Sequence, residues 1–224
     1  MIPMKTTTVY PKSIKQATEF AVLKKGSSNK KLGFKVTAKK WASKRLYSLT
    51  LTERETCPVS CHHWEDCYGN NMPFAHRFST DGLTDKIESE IATLLEKHPQ
   101  GIVIRLHVLG DFYSVEYVRF WERMLKENPT LCIFGYTANM FDQVTGEGAG
   151  IGGAIHLLNH RYADRCTIRF SRNQESNHLS PCFAAEESFE GKAFTCPEQT
   201  GKLPSCAACG LCWIAQKTVR FLSH

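Results

Sequence analysis

Seven of the chain's ten cysteines fall into two groups whose spacing suits metal ligation, and no other residues are so well placed to do chemistry. Cys196 is followed by Cys206, Cys209 and Cys212 as C-x9-C-x2-C-x2-C. The two-residue gaps can wrap three thiolates round one face of an iron–sulfur cluster, with the remote Cys196-Pro197 supplying a fourth, much as a Cys-Pro does in bacterial ferredoxins. Four thiolates also suit structural zinc, although three ligands so closely spaced crowd a tetrahedron. A closed site of this kind serves electron relay or folding. Cys57, Cys61 and Cys67 form the other group, C-x3-C-x5-C. Three thiolates can hold three irons of a four-iron cluster and leave the last iron open to substrate or cofactor. Alternatively, His62 or His63 completes a tetrahedral zinc site. The expectation is therefore two 4Fe-4S clusters, with zinc at one or both sites as the alternative. Cys132 and Cys166 lie in apolar runs and read as buried thiols. Cys182, in Ser180-Pro181-Cys182-Phe183, could replace one of the second four.

So many cysteines in 224 residues would suggest disulfides in a secreted protein, but Met1-Ile2-Pro3-Met4-Lys5 is no apolar leader. No run approaches the roughly 18 apolar residues of a membrane span. The expectation is a soluble, cytoplasmic protein without a membrane partner. Hydrophobic residues at 42% and charged residues at 22% argue against wholesale disorder. The net charge of +6 is unevenly spread, because residues 1–45 carry eleven lysines and Arg45 against Glu19 alone, a net +11. Such an arm would attract a polyanion through counterion release, unless it is only a solvated terminus.

The elements that must position the cysteines alternate. Leu46–Leu51 reads as a strand with the first cysteine group directly after it, and Gly33–Lys39 as a further short strand. Leu83, Ile87, Ile91, Leu94 and Leu95 repeat at helical spacing, capped by Asp81 or Thr84. Ile102–Val108 is an apolar run of the kind a buried parallel strand shows, ending in Leu109-Gly110-Asp111. Ser114 caps a helix that closes at Asn128-Pro129. A strand over Leu131–Tyr136, a glycine-rich loop (Gly146 to Gly153), a helix near Ala154–Tyr162 and a strand over Thr167–Ser171 follow. This order predicts an α/β fold, a partial (β/α) barrel or open parallel sheet with its active site at the carboxyl strand ends. Residues 1–45 form the basic arm, 46–180 the core, and 181–224 a cysteine-rich metal-binding segment.

A three-cysteine loop directly after the first strand of a partial barrel resembles the radical S-adenosylmethionine superfamily. That resemblance implies that Gly110 and Asp111, at the end of the second strand, meet the amino group of S-adenosylmethionine. Ser171 and Arg172, ending the fourth, would meet its ribose and carboxylate. The last gap is five residues where the superfamily has two, and Asp66 stands where it has an aromatic residue. The stretch from Thr50 to Met72, with Gly110-Asp111-Phe112-Tyr113-Ser114 and the C-terminal cysteines, also looks like small cysteine-rich proteins of phages and bacteria. That second likeness brings no activity with it.

Asp111, His107 and Tyr136 are the candidate catalytic side chains, each at or near the carboxyl end of a predicted strand. Asp111 could instead cap the following helix, and His107 could be a hydrogen-bonded core residue. The expected activity is a radical S-adenosylmethionine-type reaction fed by an external electron donor, on a nucleic acid or nucleotide. The alternatives are a non-catalytic zinc- or cluster-stabilised nucleic-acid-binding protein, or a base-modifying transglycosylase with structural zinc and Asp111 as nucleophile.

Overall fold

A computed structural model of the chain describes residues 6–142, 149–171 and 180–222. Short strands β1 (Ile14–Lys15) and β2 (Lys24–Lys25) precede β3 (Arg45–Ser48) and β4 (Arg77–Phe78). Helix α1 (Leu83–Lys97), β5 (Ile102–Leu106), α2 (Val115–Glu127), β6 (Leu131–Thr137), α3 (Ile151–Arg161) and β7 (Cys166–Ser171) then alternate. The C-terminal part adds β8 (Phe183–Ala185), β9 (Phe194–Thr195), one turn of helix α4 (Cys206–Cys209) and β10 (Val219–Arg220).

Eight strands form one sheet in the order β2-β3-β5-β6-β7-β8-β10-β9, parallel throughout except for the β2–β3 pair. The sheet is open, ending at β2 and β9, and does not close into a barrel. Because β3, β5, β6 and β7 are neighbours in chain order, right-handed crossovers put every intervening helix on the same face. The core agrees. Ile104, Ile133 and Ile168 pack with Ile87 and Ile91 of α1, Trp121 of α2 and Ile155 of α3.

Residues of opposite parity along the same strands, Leu46, Val103, Cys132 and Phe134, build a second core on the other face. No long helix covers it. Two irregular segments from opposite ends of the chain do, contributing Leu32, Val36, Ala38 and Trp41 from one and Ala207 and Trp213 from the other. Trp41 and Trp213 stack with centroids 4.8 Å apart. The Thr37 and Ala38 amides both donate to the Ala207 carbonyl, and the Cys206 amide donates to that of Lys31. Gly33 makes the approach feasible: its φ is +72°, and a Cβ there would stand 2.7 Å from Ser205 Oγ. The basic segment is thus packed into the fold, and the expected boundary at residue 45 marks no break in packing. Toward its start, the Val22 and Leu23 amides donate to Glu90 of α1.

Two expected details differ. The strand over Gly33–Lys39 is reduced to one bridge, Lys35 with Arg45, because these backbone groups bond the cysteine-rich tail instead. Helix α1 starts at Gly82 in a left-handed conformation, with no side-chain cap from Asp81 or Thr84. Ser114 does cap α2, accepting from the Tyr117 amide at 3.1 Å. Gly146 and Gly148 of the glycine-rich loop lie outside the described residues.

Candidate metal centres

The first cysteine group leaves the sheet beyond β3 and folds back over the carboxyl end of β5. Leu51 donates its amide to the Leu109 carbonyl, and Thr56 Oγ1 accepts from the Asp111 amide at 3.2 Å. Gly110 permits this closure, since at φ +80° it leaves Thr56 Oγ1 only 2.5 Å from where a Cβ would stand. Two buried arginines hold the loop from below. Arg77 pairs with Glu53 at 2.7 Å and donates to the Gly69, Met72 and Ala75 carbonyls, while Arg54 donates to the Trp64 carbonyl and to Asn70. Burial pushes the Cys57 thiol far above the ordinary range and that of Cys61 up to about 11, and the Asp111 carboxylate adds to both shifts. Burial also raises Cys67, with Glu53 opposing and Arg54 and Arg77 assisting its ionisation. Such thiols are poor nucleophiles, and a metal cation is what would displace their protons.

Asp111 is a positioning group. Its carboxylate accepts from the Phe112 amide at 2.6 Å, the Ala138 amide at 2.7 Å and Asn139 Nδ2 at 3.3 Å, with a further bond from Thr137. It ties the end of β5 to the end of β6 and does not cap α2. Burial pushes its carboxyl up to about 6 against these four donors. His63, offered above as a zinc ligand, instead faces Asp66 at 3.2 Å and Glu186 at 3.9 Å.

The second group lies beneath the sheet. Cys196, Cys206, Cys209 and Cys212 line one concavity, floored by Trp213. Cys182 does not line it. Ser205 caps α4 by accepting from the Ala208 amide, and Gly210, at φ +63°, turns the chain so that Cys212 re-enters. Arg169 of β7 is wholly buried and donates to the carbonyls of Cys212, Phe183, Lys217 and Ile214. None of the described ion pairs involves it. Tyr136 Oη donates to Cys212 Sγ at 2.9 Å, and the Arg105 guanidinium lies 4.3 Å from the Tyr136 ring centroid. Burial pushes Cys206 up to about 12 and raises Cys212, while Arg105 favours both thiolates and Arg169 that of Cys212. Among the described residues, no three His, Cys, Asp or Glu side chains are grouped as they would be round a single metal ion.

Comparison with known proteins places this arrangement in a family. The model for Gene product 88 matches residues 21–215, which include both cysteine groups and both covering segments. The chain belongs to the Gene product 88 family. The Gene 88 protein of Mycobacterium phage L5 is 25% identical over 175 residues, 73% of this chain and 70% of the relative. That of Mycobacterium phage D29 is 24% identical over 176 residues, with the same coverage. No solved structure matches. The likeness to cysteine-rich phage proteins therefore holds, whereas the radical S-adenosylmethionine likeness rests on the residues alone.

The remaining candidates of this Gene product 88 protein are dispersed. His107 faces α2 and not the covered face of the sheet: its Nε2 lies 3.1 Å from Tyr117 Oη, its ring packs edge-on to Phe112, and Nδ1 has no partner. Burial pushes it down to about 3, so it is neutral. Ser171 ends β7 opposite Ala184, and Arg172 lies outside the described residues. Arg105, Arg169, Glu53 and Arg77 went unremarked in the sequence. The first two had a signal, a lone arginine inside an apolar strand run.

Proposed function

We propose that this protein is a two-cluster iron–sulfur redox protein, with an open cluster on Cys57, Cys61 and Cys67 and a closed one on Cys196, Cys206, Cys209 and Cys212. The observation that carries this reading is the second concavity, where four thiols share one cavity beside Arg105 and the buried Arg169. A buried guanidinium bonded only to neutral carbonyls is costly unless an anion lies near, and four metal-bound thiolates supply one. Four thiolates also suit an electron-relay cluster whose irons are all protein-bound.

The first group supports an open site by position. It lies at the carboxyl edge of a parallel sheet, where ligands of such sheets are met. The finer proposal is S-adenosylmethionine cleavage at that open iron, with nucleic acid or a nucleotide as the substrate class. When bound, that cofactor would supply a carbon radical able to abstract hydrogen. Asp111 does not fit the amino-group role that the resemblance implies, since both its oxygens accept hydrogen bonds from the chain. It fixes the β5 and β6 ends instead, and this also counts against its use as a transglycosylase nucleophile. The polyanion part rests on Lys25, Lys30, Lys31, Lys35 and Lys39, which are exposed. Lys40 and Lys44 are engaged with carbonyls.

The test is an anaerobic, iron-reconstituted chain titrated with S-adenosylmethionine. A changed electron paramagnetic resonance signal and release of 5'-deoxyadenosine on reduction support the finer proposal. An unchanged signal confines the function to electron transfer, and a colourless zinc protein removes the cluster reading.

A further inference from the structure

Arg105 of β5 stands between the two cysteine groups. On one side its guanidinium stacks on Tyr136, whose phenol donates to Cys212 Sγ, and its charge reaches Cys206. On the other it reaches the Tyr68 phenol, which also feels Cys57 and Cys67. Tyr136 is the middle member of a fixed chain, held by Arg105 over one face and by the Phe221 ring edge-on at 5.3 Å. The carboxylate closest to this order is Asp111, and it acts on Cys57 and Cys61.

We infer that Tyr136 and Arg105 are positioning residues that make the C-terminal site the higher-potential of two redox sites, so that it takes the electron first. This rests on the two-cluster reading above. An O–H bond to a ligating sulfur and a nearby cation both stabilise added negative charge, which raises a reduction potential. A carboxylate beside Cys57 and Cys61 does the opposite at the other site. One electron from an external one-electron carrier therefore rests on the C-terminal site, and Tyr136, Arg105 and Tyr68 occupy the ground between it and the open site. No bond is made or broken in that step.

The experiment is a redox titration of the full chain, iron-reconstituted, as parent, Tyr136→Phe, Arg105→Gln and Arg105→Lys. Each is made also in a Cys57→Ala, Cys61→Ala, Cys67→Ala background that isolates the C-terminal signal. Tyr136→Phe should lower that potential by roughly a tenfold change in electron uptake, about 59 mV for a one-electron couple. Arg105→Gln should also lower it, and Arg105→Lys should restore most of the loss, with iron content unchanged throughout. Potentials identical to the parent in variants that keep their iron would overturn the inference. So would a parent whose C-terminal potential lies below that of the first site. A parent that takes up no iron fails earlier and removes the two-cluster reading itself.

Discussion

The two cysteine groups are built from the same ligand and differ in everything around it. The first sits on a loop at the sheet's edge, tied down through Arg54 and Arg77, with Asp111 and Glu53 as its nearest acids. The second lies under the sheet among Arg105, Arg169 and Tyr136, and its chain has almost no regular structure beyond α4. Carboxylates oppose negative charge on sulfur and guanidinium groups favour it. The sheet supports the first site whether or not metal binds. In the second, the site supports the chain.

Breaking the ligands should expose that difference most strongly. Burial of Trp213 contributes about 5 kcal/mol, from about 200 Å² at about 25 cal/mol/Å². Ordering the chain from Cys196 to Trp213 costs about 1.5 kcal/mol per residue, so burial alone falls far short. Cys206→Ala or Cys212→Ala should therefore yield poorly soluble protein cleaved by protease beyond residue 190. Cys57→Ala or Cys61→Ala should melt like the parent with about half the iron. Equal protease resistance in both sets would erase the distinction.

Glu53→Gln leaves Arg77 buried without its carboxylate, at a cost of about 3–5 kcal/mol. Urea unfolding should show that loss, and iron analysis should show the first site depleted while the second stays filled.

Acid should act on the sheet that both sites share. His107 is held near 3 in the folded chain against an ordinary 6.5, so only the unfolded chain takes up its proton in that interval. Stability is complete above pH 6.5 and falls as pH drops, by about 2–3 kcal/mol at pH 4.5. Asp111, raised to about 6, works in the opposite sense: its contribution is present below about 4 and is lost as pH rises through 6. The measurement is consequently a urea midpoint at pH 7 and pH 4.5 for the parent against His107→Gln, which should lose less on acidification. The smallest effect belongs to Ser114→Ala, which removes the α2 cap, costs about 1 kcal/mol and leaves the iron at both sites unchanged.

Much of the helix-side architecture was legible because its periodicities are strong. α1 was expected from Leu83 to Leu95 and runs Leu83–Lys97, and Ser114 caps the helix it was assigned. The covered face was not legible. Its packing joins Trp41 to Trp213 and Leu32 to Ala207, contacts between segments without periodicity and more than 150 residues apart. For the same reason residues 1–45 read as a charged arm, since eleven lysines conceal the seven buried apolar residues between Ala17 and Trp41. Both cysteine groups were visible as spacings. Their surroundings were not, although Arg105 and Arg169 inside apolar strands were a usable sign that something on that face needs positive charge.

The most direct measurement is iron and acid-labile sulfide per chain after anaerobic reconstitution, in the parent, in the Cys57/Cys61/Cys67 triple alanine variant and in the Cys196/Cys206/Cys209/Cys212 quadruple. Two independent four-iron sites predict about eight irons in the parent and about four in the soluble triple variant, with matching sulfide. The quadruple should keep about four at most in whatever fraction remains soluble. Zinc in place of iron, or a triple variant with as much iron as the parent, would contradict the account.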